Sequence, residues 1–403
     1  MKILLIGSGA REHALGWNLA RSPRVDELIS LPGNPGLAEL GPVVEGIEAA
    51  DVGAIAAMAR IHDVDLVVVG PEAPLAAGLT DAVARLGIPV FGPTRAAARL
   101  ESSKSFAKEV MSRAGVPTGA WERFEDAEAA RAYLDTQEGP YVVKADGLAG
   151  GKGVLVTESR RDAASWAEHW VERGPVVVEE FLEGAEVSIF AVCTGSGAVA
   201  LEPARDYKRL LEGDEGPNTG GMGAYSPVED LPSGLVEETM ERVVRPTLSQ
   251  MRVDGAPFTG FLYAGLVLTD DGPKVLEFNV RLGDPETQAI VPRLDNDLLE
   301  VLEGAPPRWS GRAAVNVVMA AKGYPTAPER GAEIRGLDGR PGDDVVVFHA
   351  GTASEGRKLF VDGGRVLSVV GLGDTIDEAR DRAYAAAERI TWPGAQYRRD
   401  IAG

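Results

Sequence analysis

The chain has 403 residues, 44% of them hydrophobic and 25% charged, with 61 acidic against 41 basic side chains and a formal net charge of −20. That length exceeds what one core usually fills, so roughly two to four domains are expected. The negative field, with no basic run to override it, argues against nucleic acid or an anionic membrane as a partner, and no stretch of about 18 apolar residues suggests a transmembrane span.

The first hundred residues alternate short apolar runs (2–6, 28–31, 65–69, 88–91) with Ala- and Leu-rich helical stretches (11–21, 52–61, 75–86, 95–101). This is the pattern of a doubly wound parallel sheet, and its opening run reads as a buried strand rather than a signal peptide. A helix over 103–114 stops at Gly115 with Pro117 beyond it. Segment 118–185 reads as a small α+β unit, with strands at 141–144 and 153–156 around a glycine-rich turn, a helix near 161–172 and a strand at 176–180. A mixed segment follows to 305, with a glycine-rich loop at 216–224 and a helix near 234–252. Cys193, the single cysteine, stands in an apolar alternating run. It reads as a buried thiol and fits a reducing, cytoplasmic compartment. Pro306-Pro307 marks a boundary, after which short strands and a helix at 376–389 are expected. The expected organisation is therefore an α/β domain over 1–102, an α+β region over 103–305 containing the unit at 118–185, and an α+β domain over 306–403.

Several strings carry chemistry. Gly7-Ser8-Gly9-Ala10-Arg11-Glu12 follows a strand and opens a helix, the right context for a phosphate. It is not a dinucleotide fingerprint, because Glu12 replaces the third glycine and no acid follows the second strand. A structural tight turn remains open for it. The loops Gly33-Asn34-Pro35-Gly36 and Gly70-Pro71-Glu72-Ala73-Pro74 should crowd the same sheet edge. Lys144-Ala145-Asp146-Gly147-Leu148-Ala149-Gly150-Gly151-Lys152-Gly153 lies between two strands and is no Walker loop. Its backbone N–H groups and flanking lysines suit phosphate oxygens, against the alternative of a solvated hairpin. In Val275-Leu276-Glu277-Phe278-Asn279-Val280-Arg281, strand alternation puts Glu277, Asn279 and Arg281 on one face. There the carboxylate and amide oxygens are hard ligands for Mg²⁺, and the guanidinium can grip a carboxylate or phosphoryl group. The polar face of an edge strand is the other reading. The histidines are scattered, and neither a zinc spacing nor a serine elbow occurs.

Taken in order, these stretches resemble the ATP-grasp ligases, and within them the family of phosphoribosylamine–glycine ligases. The resemblance runs along nearly the whole chain. Its most specific string is Gly216-Pro217-Asn218-Thr219-Gly220-Gly221-Met222-Gly223-Ala224-Tyr225-Ser226-Pro227, with Glu277-Phe278-Asn279 and Gly283-Asp284-Pro285-Glu286-Thr287 further on. It implies an ATP-grasp fold over 103–305 with a lid at 118–185, and ATP between two α+β subdomains. Lys104 and Lys144 match phosphate-contacting lysines; Gly150, Gly151, Lys152 and Gly153 match the lid loop. Glu179, Glu180, Phe181 and Leu182 match the adenine hinge, and Glu186 is placed for the ribose hydroxyls. Glu277 and Asn279 match ligands for Mg²⁺ or Mn²⁺. The implied substrates are glycine and 5-phosphoribosylamine, joined through a glycyl phosphate in the second step of purine biosynthesis. Arg281 and Asp206 are expected to clamp glycine, with Lys152 assisting catalysis. Gly9, Asn34 and Glu72 are expected around the ribose phosphate, and Gly220, Gly221 and Met222 elsewhere along the substrate. A monomer is expected. Two departures stand out. The strand at 262–266 carries no acid, which leaves the number of metal ions open, and Tyr207 replaces a frequent His, which leaves its role open. Another ATP-grasp ligase, a nicotinamide oxidoreductase and a non-catalytic nucleotide sensor are the competing readings.

Overall fold

The computed structural model describes residues 1–149, 153–195, 197–337 and 342–403. Lys2–Gly7 pairs in parallel with Glu27–Pro32 on one side and Leu66–Val69 on the other, and Val90–Phe91 completes the sheet. Its strands are apolar on both faces because helices cover both, as the alternating pattern requires. The helix expected over 75–86 is broken into Glu72–Ala77 and Leu79–Ala84. The cause is Gly78, at φ +93°, which ends one helix and starts the next.

Helix Lys104–Ala114 is capped by Ser103, whose hydroxyl accepts from Phe106 N at 3.2 Å. Beyond it stands an antiparallel sheet in the order Trp121–Phe124, Val176–Glu179, Tyr141–Ala145, Val154–Thr157. Helices Ala127–Leu134 and Arg160–Val171 cover one face, over Val143, Val176 and Val178. Alternation therefore turns Lys144 and Glu179 to the opposite face.

A second antiparallel sheet runs Gly197–Ala200, Ala185–Thr194, Gly260–Thr269, Gly272–Asn279. Asn279 faces Tyr263, Glu277 faces Gly265, and the register shifts just beyond. One continuous core links it to the first sheet through Leu4, Val67, Phe106, Ile189 and Phe278. The expected helix near 234–252 spans Leu235–Val253 with a wide π turn at Met240–Val244. Pro246 lacks the N–H that would close an α turn there.

The stretch 216–224 is not the simple loop expected. Glu215–Asn218 pairs with Arg209–Leu211 as a hairpin, and Gly223–Ser226 is a strand between Arg205–Asp206 and Ala313–Ala320. Gly223 serves close approach rather than a turn: a Cβ there would lie 2.7 Å from Asn316 O. The sheet continues through Arg365–Gly373 to Val345–His349, so the segment 205–226 docks on the last ninety residues. Among the described residues, no helix is long and apolar enough to cross a membrane.

Candidate active site

Two charged clusters meet around Glu277. On the lid side, Lys144 Nζ donates to Glu179 Oε2 at 3.0 Å and to Leu276 O at 3.4 Å. Lys108 Nζ reaches the same Oε2 at 2.8 Å and Thr118 Oγ1 at 2.7 Å. All three charged side chains are buried. Burial opposes the Glu179 charge, but Lys144 and Lys108 outweigh it and hold the carboxyl below its ordinary value. Glu179 Oε1 is buried without a hydrogen-bond partner among the described residues. The main-chain N–H groups of Phe181 and Leu182 also lack partners among the described residues. Glu180 instead ties the hinge to Ala120, through its N–H at 2.8 Å and its carboxylate at 2.9 Å. A cavity of about 340 Å³ behind the hinge, lined by Tyr133, Tyr141 and Phe181, opens on the helix-covered side of the lid sheet.

Lys104 Nζ donates to Gly147 O at 3.1 Å, and burial lowers its proton affinity. Asp146 receives Ser105 N at 3.2 Å and the Ser105 hydroxyl, which stitches the root of the glycine hairpin to the helix start. Gly153 closes that hairpin; Gly150, Gly151 and Lys152 lie outside the described residues.

On the other side, Arg281 follows the strand end, and its guanidinium turns back to Asn279 Oδ1 at 3.2 Å. It also pairs with Glu101 Oε1 at 3.0 Å and Glu72 Oε2 at 3.3 Å. The Arg281 charge is thus held by two carboxylates, one from the start of a helix 209 positions away. Lys208 pairs with Glu186, so the carboxylate expected at the ribose is engaged by a lysine. Burial raises the Asp206 carboxyl, although Lys208 opposes the rise. Burial also works against ionisation of Glu277. Lys144, Lys208, Lys104 and Arg281 outweigh it, and the carboxyl is held below its ordinary value. Glu277 nevertheless takes no direct hydrogen bond among the described residues. An ionised carboxylate surrounded by cations but bound by none fits an oxygen ligand for a hard cation, with Asn279 Oδ1 beside it. Among the described residues no cluster of three or more His, Cys, Asp or Glu could hold a metal by itself.

The expected phosphate loops look different. Gly9 N donates to Glu12 Oε2 at 2.7 Å, and Glu12 pairs with Arg11 at 2.6 Å. The helix start is therefore occupied by the chain's own carboxylate. Asn34 uses both amide hydrogens, on Ser8 O at 2.9 Å and His349 O at 2.8 Å, and caps Leu37 N with its oxygen. Glu72 is at Arg281, as described. Gly220 O accepts from Arg365, whose NH2 also pairs with Asp284 at 3.0 Å. Gly221 N donates to Thr219 Oγ1 at 2.9 Å. Met222 is buried, with its N–H on Tyr207 O and its carbonyl on Val318 N.

Sequence reasoning missed Lys108, Glu101, Glu286 and Arg365. Lys108 had a signal: it lies four residues after Lys104, on the same helix face. Glu286 stands in the string Gly283–Thr287 that carries part of the resemblance, and nothing in the spacing marked Glu101 or Arg365.

Three family profiles match the chain: the N domain of phosphoribosylglycinamide synthetase over 1–101, its ATP-grasp (A) domain over 102–287 and its C domain over 314–403. The phosphoribosylamine–glycine ligase of Caulobacter vibrioides is 48% identical over 417 residues, covering 100% of this chain and 97% of that one. That of Leifsonia xyli subsp. xyli is 49% identical, covering 100% and 99%. The crystal structure of the Thermotoga maritima phosphoribosylamine–glycine ligase superimposes with a TM-score of 0.87 at 39% identity, over 100% of both chains. A biotin carboxylase domain from Hydrogenobacter thermophilus, solved with MgADP, shares the fold at TM-score 0.74 and 17% identity. With profiles over nearly its whole length and relatives near half identical throughout, this chain belongs to the phosphoribosylglycinamide synthetase family of ATP-grasp ligases.

Proposed function

We propose that this chain joins glycine to 5-phospho-β-D-ribosylamine, consuming ATP and giving glycinamide ribonucleotide, ADP and phosphate, as a cytoplasmic step of purine synthesis. The observation that carries the reading is Glu277: a half-buried, ionised carboxylate, without a direct hydrogen bond among the described residues, between lid-side lysines and the Arg281–Lys208 cluster. It stands where a nucleotide's phosphates and a carboxylate acceptor would meet.

Adenine fits the hinge, with its ring nitrogen against the free N–H groups of Phe181 or Leu182 and its exocyclic amine on the unpartnered Glu179 Oε1. Lys104 and Lys144 then face the phosphates, with Lys152 expected to assist from outside the described residues. Glu277 and Asn279 would hold Mg²⁺ or Mn²⁺, which when bound supplies charge neutralisation at the phosphates. Arg281 orients the glycine carboxylate, exchanging part of its hold on Glu72 and Glu101 for it. Asp206 receives the glycine ammonium. The carboxylate oxygen takes the γ-phosphoryl group and ADP leaves; the ribosylamine nitrogen then attacks the carbonyl carbon and phosphate departs with the bonding pair. Positioning and fixed charge do this work, and no protein nucleophile is required.

The test is product identity. The protein is incubated with ATP, Mg²⁺, glycine, ribose 5-phosphate and ammonia, and the products are read by mass spectrometry. A glycinamide ribonucleotide whose mass follows ¹³C-glycine is expected. ADP and phosphate accompanied by any other conjugate would reject the substrate pair.

A further inference from the structure

Forming the amide creates a proton problem. When the neutral amine attacks the glycyl phosphate, the C–N bond forms and the C–O bond to phosphate breaks. Phosphate leaves with the electron pair, and the nitrogen must shed one proton. The carboxylates already described are engaged elsewhere. Glu179 is bound by two lysines, Glu72 is paired with Arg281, and Glu277 is held ionised by four surrounding cations. Burial raises both Glu101 and Asp206, but Glu101 is paired with Arg281 and Asp206 is assigned to the glycine ammonium.

Glu286 is different. It is buried at 3% exposure at the start of helix Glu286–Ile290, on the acceptor side of the site. The largest charges acting on it are those of Asp206, Arg281 and Lys208, whereas Lys144 leads those acting on Glu277. Its Oε1 receives the Ser188 hydroxyl at 3.3 Å, and Ser188 is also 2.9 Å from Tyr263 OH. Apart from Ser188 and its own backbone N–H, nothing hydrogen-bonds this carboxyl among the described residues. Room for it is built into the backbone: a Cβ on Gly283 would lie 2.3 Å from Oε2. The groups facing it are Ser188 and Tyr263 from the central sheet, Asp206 and Lys208 from the segment docked on the last domain, and Arg281.

We infer that Glu286 is the catalytic base that takes the proton from the attacking amine. The inference rests on the ligase reading above. Burial, and then the nearby Asp206, push the carboxyl up to about 7, which makes it a far better acceptor near neutral pH than an ordinary carboxylate. Glu277 and Glu286 are thereby separated: one stays ionised at the phosphates, the other exchanges a proton at the acceptor.

The test separates the two halves of the reaction in the full-length protein. The first half is read without amine, as glycine-dependent positional isotope exchange in ¹⁸O-labelled ATP with Mg²⁺. The second is read as amide product. Glu286→Gln should keep the exchange within about threefold and lower amide formation roughly 10²-fold or more. The wild-type kcat should rise with pH through about 7, a limb that Glu286→Gln loses and Glu286→Asp keeps at reduced height. Exchange and amide formation falling together in a variant that melts like the wild type would overturn the inference. So would a rise in the glycine KM alone, or no change in either half. Exchange without any amide product in the wild type would instead reject the ligase reading.

Discussion

At the scale of residues, the site rests on a few charges whose partners are far away in sequence. Glu277→Gln keeps the shape but removes the charge, so ADP formation should fall by roughly 10²-fold or more, while the melting temperature holds or falls slightly because the surrounding cations lose their counter-charge. A variant with unchanged turnover at low magnesium would remove Glu277 from the metal. Lys108→Met leaves Glu179 with Lys144 alone. It should cost about 3 kcal/mol in urea unfolding, the low end for breaking a buried pair because one lysine remains, and raise the KM for ATP. Lys144, Glu277 and Arg281 could be singled out because each lies in a string that matches the family's motifs; residue type and spacing alone left a solvated hairpin or the polar face of an edge strand open. Lys108 was not, because a lysine on an amphipathic helix reads as solvated until the lid sheet is seen to cover it. The partners of Arg281 were hidden for another reason: Glu72 and Glu101 reach it from separate elements, and no periodicity links them.

At the scale of elements, the hairpin of Arg209–Leu211 and Glu215–Asn218 is held by the chain's last residues. Arg398 pairs with Asp214 and Asp400 at 2.7 Å, donates to Arg209 O and lies 4.8 Å over the Tyr207 ring. Tyr207 OH accepts from Ala402 N at 2.9 Å. This tail latch brackets Asp206 and Lys208, and it gives Tyr207 an anchoring role. Arg398→Ala should therefore raise the glycine KM roughly tenfold, equivalent to about 1.4 kcal/mol, with the KM for ATP unchanged in steady-state assays. An equal rise in both would place the latch elsewhere. The strand Gly223–Ser226 explains why part of the fold was not legible here. Its glycines suggest a loop, yet their smallness serves close strand packing, which only the distant Ala313–Ala320 reveals. The parallel sheet and the helices at 104–114, 160–171 and 376–387 were legible because periodicity and caps lie within each segment.

At the scale of the whole molecule, the first and last segments dock through Ala10, Ala14, Phe348 and Val370. His349 N donates to His13 Nδ1 at 2.8 Å within that junction. Burial, and for His13 also its neighbour His349, push the two rings down to about 3 and about 4. The folded state thus resists protons that the unfolded chain accepts near the ordinary value of about 6.5. The two rings should make stability fall as pH drops from about 6.5 to 5, a loss partly offset by Glu286, whose raised carboxyl binds a proton in the folded state below about 7. His13→Gln should reduce that slope by up to about 1.4 kcal/mol per pH unit, read from denaturant melts. An unchanged slope would mean the junction opens before His13 is reached.

The central claim is that the two charged clusters serve one reaction, with glycine and an amine both required. ADP release should be measured with ATP, Mg²⁺ and glycine, with and without phosphoribosylamine generated in place from ribose 5-phosphate and ammonia. Sustained ADP release only when glycine and the amine are both present is the predicted result. Sustained release that ignores glycine, or that the amine does not stimulate, would contradict it.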